Sequence, residues 1–226
     1  YLLPNELGHC GMSSVGSRGL STPHPNPMKN LFKILILSIL MFSCDKDNPV
    51  ESSLCDESIE VELWGECYNI QTTVTLDLSY TGLTGEIPSN IQNLINLIEL
   101  SLYNNQLSGQ IPSWIGDLTN LVNLRLDDNQ LTGEIPESIG NLTKLTYLSL
   151  QNNQLTGEIP NSIGDLTNLS GLNLYLYNNQ LTGVIPEEIC NQEDLIPNVY
   201  NNQLCPPYPE CISQGNINSQ DTSNCP

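Results

Sequence analysis

The sequence predicts an α/β solenoid, a stack of similar coils whose short strands pair in parallel. A unit of 24 residues begins at Leu97, Leu121 and Leu145, and the phrase NQLTGEIP occurs identically at 129–136 and 153–160. Each unit contains an LxLxxN stretch, whose apolar and polar residues alternate as in a strand with one buried face. Because a single unit cannot bury that face, successive units must stack and their strands must pair side by side.

The repeats extend over 73–204 as about five units and a partial sixth. A divergent first unit has Thr81 at the asparagine position, and the fifth unit, which begins at Leu169, is two residues longer. Because of this insertion at 170–173, the alignment of the fifth strand with its neighbours is assumed and does not follow from the repeat. The strand leucines are predicted to point inward: Leu100, Leu102, Leu124, Leu126, Leu148, Leu150, Leu174 and Leu176.

Three framework positions explain how one coil turns. The asparagine that follows each strand can satisfy backbone groups from inside the turn, because its carboxamide both donates and accepts hydrogen bonds. The glycine of TGEIP allows the next bend, and the proline after isoleucine is expected to stop helix. The asparagines are Asn105, Asn129, Asn153, Asn179 and Asn202.

The pattern LxxLxLxxNxLxGxIPxxIxxL resembles the plant-type leucine-rich repeat, which occurs in ectodomains of plant receptor-like kinases, in polygalacturonase inhibitors and in bacterial surface proteins. The resemblance implies a curved stack with the parallel sheet on the concave side. It also implies short second strands around TGEIP and 3₁₀ or short helical turns on the convex side. No kinase segment and no glycine-rich phosphate loop follows the repeats in this sequence.

The first 54 residues are predicted to lie outside the solenoid. Residues 28–43 carry two lysines, a short apolar run and a small residue, the order typical of a secretory signal peptide. The ending MFSC resembles a bacterial lipoprotein cleavage box, with Cys44 as the lipidated residue, and 44–54 then resembles a surface-export tether. Residues 1–27 are expected to be disordered upstream translated sequence. The protein is therefore expected at the outer membrane or cell surface, or otherwise secreted, and to touch a membrane only through its lipid.

Six cysteines lie at the two ends of the repeats, which in an exported chain indicates three disulfides. The N-terminal cap, 55–72, resembles that of the family, whose tryptophan and paired cysteines would be Trp64, Cys55 and Cys67. In the C-terminal cap, 205–226, the expected pairs are Cys205 with Cys211 and Cys190 with Cys225. A metal site is disfavoured, because these segments have no histidine and no CxxC pair.

Composition excludes several classes of function. A formal charge of −19 from 25 acidic and six basic residues makes nucleic acid a poor partner. Both histidines, His9 and His24, precede the signal peptide, so the mature chain would lack the usual acid-base group and zinc ligand. The carboxylates of Asp127 and Asp128 are adjacent on one strand and point in different directions. We therefore expect no enzyme activity and no cofactor.

Function is expected to reside in the variable positions that face outward on the concave strands. Tyr147, Tyr175 and Tyr177 fall on adjacent strands and could bind a peptide or stack on a sugar, since tyrosine offers a large apolar face and a hydroxyl at small entropic cost. Tyrosine also favours strands for packing reasons alone, and that interpretation stays open. The predicted ligand-binding residues are Tyr103, Arg125, Asp127, Tyr147, Gln151, Tyr175, Tyr177 and Tyr200.

Two further columns are weaker candidates. Glu86, Gln110, Glu134 and Glu158 form a row that could collect calcium, although chelation needs converging oxygens. A hydroxyl ladder runs through Thr84, Ser108, Thr132, Thr156 and Thr182, an array like that of ice-binding solenoids. The sequence thus predicts a monomeric, non-enzymatic module that recognises a protein, peptide or glycan. The alternative is a structural or adhesive envelope protein without a discrete ligand.

Overall fold

A computed structural model describes residues 55–191 and 196–226. The predicted upstream sequence, signal peptide, lipidation site Cys44 and tether lie outside these residues. Within the described ranges, no helix has both the length and the apolar character needed to cross a bilayer.

The concave face of the solenoid is a five-stranded parallel sheet with one strand from each coil. The order of these strands in the sheet follows the chain, and the register places leucine beside leucine in every pair. The pairing of Leu174 with Leu148 confirms the predicted register through the insertion. The strands are β3 (Thr75–Asp77), β5 (Glu99–Ser101), β7 (Asn123–Arg125), β9 (Tyr147–Ser149) and β11 (Leu174–Tyr175).

Short second strands and 3₁₀ helices complete each coil, as the resemblance implied. The second strands are β4 (Thr84–Gly85), β6 (Gln106–Leu107), β8 (Thr132–Gly133) and β10 (Gln154–Leu155). The 3₁₀ helices are Ser89–Asn93, Ser113–Asp117, Glu137–Asn141, Asn161–Asp165 and Glu187–Cys190. Each 3₁₀ helix follows a proline in extended conformation. The expectation that these prolines stop helix is therefore wrong, because a fixed φ and a missing N–H suit the start of a helix.

The core is one continuous column of leucine and isoleucine between the sheet and the 3₁₀ helices. All eight strand leucines predicted to point inward have no solvent exposure. Their burial against the next coil supplies the main stabilisation, since complete burial of one such side chain contributes about 1.5–3 kcal/mol.

The buried asparagine column works as the sequence predicts. Asn129 Nδ2 donates to the carbonyl oxygens of Leu102, Leu126 and Asp127 at 2.9–3.2 Å, and its Oδ1 accepts the Leu107 N–H at 3.0 Å. The other four asparagines repeat this pattern. One side chain thus serves the backbone of two successive coils.

Both ends of the stack are capped. The N-terminal cap is an antiparallel hairpin of β1 (Glu60–Leu63) and β2 (Glu66–Asn69), whose turn residues Trp64 and Gly65 have positive φ. The described part of the C-terminal cap contains one α-helix, α1 (Gln214–Asn218). Val61, Leu63 and Ile212 from the caps are buried in the common core.

All six cysteines form disulfides, and the predicted Cys55–Cys67 pair is confirmed. The two C-terminal pairs are Cys190–Cys211 and Cys205–Cys225, so the pairing expected for these four cysteines is wrong. Cys205 lies in the last coil, where its N–H donates to the Gly183 carbonyl. Cys211 pairs with Cys190 in the last 3₁₀ helix. The partner of Cys205 is Cys225, which follows α1 in the sequence. Folding, not proximity in sequence, brings these partners together.

Candidate binding face

Two columns of side chains alternate with the buried leucines on the concave face. The first column lies between the strand leucines and, by strand register, runs Asp77, Ser101, Arg125, Ser149, Tyr175 and Asn198. The second column follows the second leucine and runs Ser79, Tyr103, Asp127, Gln151, Tyr177 and Tyr200. Because the strands pair in parallel, residues of one column are neighbours on successive coils about 4.8 Å apart.

Two groups of tyrosine rings with one arginine between them, which we call the aromatic stripe, cross this face. Tyr80 meets Tyr103 edge to face with ring centroids 4.8 Å apart. At the other end, Tyr147 and Tyr175 are 5.6 Å apart, Tyr175 and Tyr177 are 6.3 Å apart, and Tyr177 stacks on Tyr200 at 4.4 Å. The stripe consists of Tyr80, Tyr103, Arg125, Tyr147, Tyr175, Tyr177 and Tyr200.

Arg125 joins the two halves of the stripe. Its guanidinium carbon lies 3.7 Å from the centroid of the Tyr103 ring and 5.9 Å from that of Tyr147. The planar guanidinium stacks on aromatic faces and is attracted by their quadrupoles. Arg125 therefore bridges the tyrosines of the second and fourth coils.

The orientation of Arg125 is set by Asp127 on the same strand. Arg125 Nη2 lies 3.2 Å from Asp127 Oδ2, and the Asp127 side chain is only 2% exposed. Burial by itself would lower the pKa of Arg125, but its hydrogen bond to Asp127 and the charge of that carboxylate raise it above the ordinary value. The guanidinium is thus a fixed cation within the stripe.

Several polar side chains of the two columns are buried under their larger neighbours. Ser149 donates to Gln151 Oε1 at 2.7 Å, and the hydroxyls of Ser79 and Ser101 are 2.8 Å apart. Of the predicted ligand-binding residues, Asp127 and Gln151 are therefore buried, whereas the five tyrosines and Arg125 are half-buried. Among these predicted residues, the exposed surface is therefore that of the tyrosines and Arg125, and the buried Asp127 and Gln151 support it from below.

A row of three amides that ends at the Asp128 carboxylate, which we call the amide row, borders the stripe. It was not predicted from the sequence. Asn201 Nδ2 donates to Asn178 Oδ1, Asn178 Nδ2 to Asn152 Oδ1, and Asn152 Nδ2 to Asp128 Oδ1, at 2.6–2.8 Å. These four residues have positive φ, between 51° and 55°. The left-handed conformation favours asparagine and aspartate, so the NN and DN doublets were the available signal.

Two residues of the face itself were also missed. Tyr80 extends the stripe into the first coil, and Asn198 ends the first column beside Tyr175. Tyr80 occupies the amide-row position of the divergent first unit, so the repeat pattern did not predict an aromatic ring there. Asn198 lies in the terminal stub, where proline replaces the first strand leucine.

The hydroxyls of Tyr177 and Tyr80 are held in the protonated form by raised pKa values. Burial raises the pKa of Tyr177, and the nearby Tyr200 and Asp128 add to the shift. The Tyr103 hydroxyl, followed by burial and the Asp128 charge, raises the pKa of Tyr80. At neutral pH these side chains offer an apolar ring and a neutral hydroxyl to a ligand.

The other two columns project from the second strands. The side chains of Glu86, Gln110, Glu134 and Glu158 cover the glycine of the next coil, close to where a Cβ atom would lie. Among the described residues, one group brings three possible metal ligands together, Cys55, Glu60 and Cys67, and its two sulfurs are joined in a disulfide. Thr84, Thr132 and Thr156 of the predicted hydroxyl ladder are exposed. The register of the second strands pairs Thr84 with Gln106 and Thr132 with Gln154, not with the next hydroxyl of the row.

The same column of buried leucines, the same buried asparagine and a variable surface position recur coil after coil, which defines a repeat protein of the solenoid type. A family model described as a leucine-rich repeat region matches residues 66–195, more than half of the chain. The chain belongs to the leucine-rich repeat family.

Three solved structures that this chain resembles are plant proteins. The plant peptide hormone receptor RGFR1 in complex with RGF2 is 40% identical, with a TM-score of 0.53, over 57% of this chain and 20% of that chain. The BIR2 ectodomain from Arabidopsis thaliana is 34% identical, with a TM-score of 0.52, over 57% of this chain and 68% of that chain. A plant ice-binding protein is 36% identical, with a TM-score of 0.51, over 58% of this chain and 42% of that chain.

The chain spans about a fifth of the length of the receptor RGFR1. A comparison with curated proteins finds no match.

Proposed function

We propose that this protein is a non-enzymatic recognition module that binds an extended peptide or protein segment across its aromatic stripe. The single observation that carries the proposal is the continuity of the stripe, in which every ring or guanidinium contacts the next from Tyr80 to Tyr200. A row that served only local packing would not need to run uninterrupted through six coils.

The chemistry of the stripe suits a peptide. Half-buried tyrosines give large contact area at little entropic cost, because they are already held by their neighbours. Asp127 and Gln151 act by positioning Arg125 and Ser149, since their own side chains are buried. The similarity to RGFR1 in complex with RGF2, a plant peptide hormone receptor, supports a peptide as the ligand.

The stripe also sets the length of the ligand. Six coils give five strand spacings of about 4.8 Å, which is roughly 24 Å across the face. An extended peptide rises about 3.3 Å per residue, so roughly seven residues cover the stripe. Peptides of about ten residues, which include flanking residues on each side, are the appropriate probes.

The test is binding of the full chain to peptide and glycan arrays, with a triple variant Tyr147→Ser, Tyr175→Ser and Tyr177→Ser. We expect the wild type to retain peptides and the triple variant to lose them. The matched control changes Gln130, Gln154 and Gln180 to serine, three exposed glutamines of the same two coils and the coil before them, and should bind as the wild type does. Circular dichroism and thermal unfolding establish that each variant is folded.

Three results would contradict the proposal. Unchanged peptide binding by a folded triple variant removes the stripe from the function. Retention of glycans alone assigns the face to sugars, and retention of nothing favours the structural or adhesive role.

We further propose that the protein works outside the cytoplasm, tethered by lipid at Cys44 as a monomer. Three disulfides support an oxidising compartment, where such bonds persist. Cys44→Ser should release the protein from the membrane fraction into the soluble exported fraction. Equal membrane association of wild type and Cys44→Ser would argue against the anchor.

A further inference from the structure

A groove of about 500 Å³ lies where the concave face ends at the C-terminal cap. The last strand segment contributes Ile196, Asn198 and Tyr200, which alternate in sequence and therefore face the same side as the aromatic stripe. Leu172, from the insertion of the fifth coil, forms one wall, and α1 with its flanking serines forms the other. Because Tyr200 lines the groove and stacks on Tyr177, the groove continues the stripe.

Two exposed aliphatic side chains give the groove its apolar character. Leu172 is 55% exposed and Ile196 is 49% exposed. The Ile196 N–H donates to the Gly171 carbonyl at 2.7 Å, so the backbones that carry the two side chains are tied together.

The helix wall has no free hydrogen-bonding side chain to offer at its centre. Asn216 accepts the Val199 N–H through Oδ1 and donates through Nδ2 to the Pro197 carbonyl and to Ser213. Ser219 donates to the Asn216 carbonyl and accepts the Asn201 N–H. These bonds fix α1 on the last strand and occupy the edge on which another coil would pair. A bound chain must therefore lie across the face instead of extending the sheet.

Asn198 supplies a polar contact at the floor of the groove. Its backbone is paired within the sheet, whereas its carboxamide has no hydrogen-bond partner among the described residues. A free carboxamide can donate to a carbonyl and accept from an N–H of the same peptide unit. An apolar groove beside one such amide fits a peptide that buries a side chain and pairs its backbone.

Charge defines the ligand further. Arg125 and Lys144 are the two basic residues within 55–191 and 196–226, and the whole chain has a net charge of −19. Asp128 lies close enough to Tyr80 and Tyr177 for its charge to affect both hydroxyls. Such a surface attracts cationic ligands, within the screening length of about 8 Å at physiological salt.

We infer that the groove holds one aliphatic side chain, leucine, isoleucine or valine, of a basic extended peptide whose remaining residues lie along the aromatic stripe. The inference rests on the proposed function and deepens it by specifying the sequence of the ligand. We call this aliphatic residue of the peptide the anchor residue. Leu172, Ile196 and Asn198 then set the specificity for the anchor residue, and the tyrosines of the stripe supply general affinity.

The experiment selects binders for the full chain from a library of randomised peptides of about ten residues, the length set by the stripe. The same selection is made with the double variant Leu172→Gln/Ile196→Gln. The matched control is Ile95→Gln, which removes an isoleucine that is 53% exposed and lies far from the groove in sequence, in the first coil. Selected peptides are then resynthesised with serine at the anchor position, and affinities are measured by fluorescence anisotropy.

We expect peptides selected on the wild type to be rich in lysine or arginine and to share one aliphatic position. Replacement of that residue by serine, or the double variant, should each weaken binding about tenfold to a hundredfold, as loss of one buried aliphatic side chain implies. The two changes combined should cost little more than either alone, because they remove the same contact. Ile95→Gln should leave affinity unchanged.

Failure of this inference is distinguishable from failure of the proposed function. Selected peptides that need the tyrosines but tolerate Leu172→Gln/Ile196→Gln overturn the groove and leave the stripe intact. Acidic selected peptides, or an anchor position without aliphatic preference, also overturn it. A wild-type dimer that the double variant converts to a monomer would assign the groove to a second copy of this chain instead.

Discussion

The buried asparagine column and the aromatic stripe pass through the same coils, yet one is uniform and the other varies. Every coil from the second onward uses the same asparagine to bind the same backbone groups, because each coil must close the same turn. The stripe changes from Tyr103 to Arg125 to Tyr147, although the strands beneath it are equivalent. The difference separates what the fold requires from what is left free for recognition.

The caps differ from the coils in the same way, because they have no repeated framework. Their residues follow no repeat, and their hydrogen bonds replace those that a further coil would supply, as Asn216 does for Val199. The groove arises at this junction, where the repeat stops and the last strand has only α1 beside it. Irregularity at the end of a solenoid thus creates a feature that the regular coils do not have.

The largest effect should come from breaking the uniform column. Asn129→Ala removes the partner of the buried Leu107 N–H and of three carbonyl oxygens, so we expect a loss of about 3 kcal/mol in the free energy of unfolding. The measurement is urea unfolding with the disulfides intact. Gln130→Ala, the exposed neighbour, should change stability by less than about 0.5 kcal/mol. Equal unfolding midpoints for the two variants would mean that the column is not structural.

A smaller loss should follow from adding a methyl group beneath the glutamate row. A Cβ at Gly157 would lie 2.6 Å from Glu134 Cγ, and the φ of Gly157 is +75°. Gly157→Ala should lower the free energy of unfolding by about 1–2 kcal/mol because of the left-handed backbone. The close contact with Glu134 adds a further loss. Adding Glu134→Ala removes that contact and should restore only the part of the stability loss that the contact caused. Thermal or urea unfolding measures both variants.

Gly215→Ala is the control, since the nearest atom to its Cβ is 3.9 Å away and the residue lies in α1. It should be neutral or slightly stabilising. Full recovery of the Gly157→Ala loss by Glu134→Ala would contradict the backbone explanation.

A third test asks whether the stripe also stabilises the fold. Arg125→Met leaves the Asp127 carboxylate buried without a cation, and we expect a loss of about 1–2 kcal/mol, reduced because Arg125 is partly exposed. The double variant Arg125→Met/Asp127→Asn should recover most of the loss. Lys144→Met is the control, since the Lys144 contact with Asn120 is exposed and should contribute little. Additive losses in the double-mutant cycle would show that the pair is not coupled.

The smallest effect concerns alkaline pH. The pKa of Tyr177 is raised, so its neutral form is favoured in the folded protein, and this favourable contribution is complete below the unfolded pKa of about 10. As pH rises above that value the unfolded chain ionises first, and stability falls. Absorbance of tyrosinate during an alkaline titration should show a late-titrating group that Tyr177→Phe removes. Tyr68 and Tyr208, whose pKa values burial raises, and Tyr80, whose pKa the Tyr103 hydroxyl raises, should titrate late in both proteins.

The sequence by itself determined the coil. The period of 24 residues, the alternating leucines and the turn asparagine each follow from a backbone requirement that recurs in every unit, so pattern and physics agree at each position. The sequence also placed Tyr147, Tyr175 and Tyr177 on neighbouring strands, because parallel register follows directly from the repeat.

Only the tertiary structure decided how neighbouring side chains share space. Whether Asp127 and Gln151 face a ligand or lie beneath larger residues depends on the volumes of side chains from adjacent coils, which no single unit encodes. The same holds for Arg125, whose position between Tyr103 and Tyr147 comes from three different coils. The pairing of the C-terminal cysteines and the groove beside α1 depend on where the irregular chain after the last repeat returns to the stack. Periodicity ends there, and packing against the last coil alone sets the path of the chain.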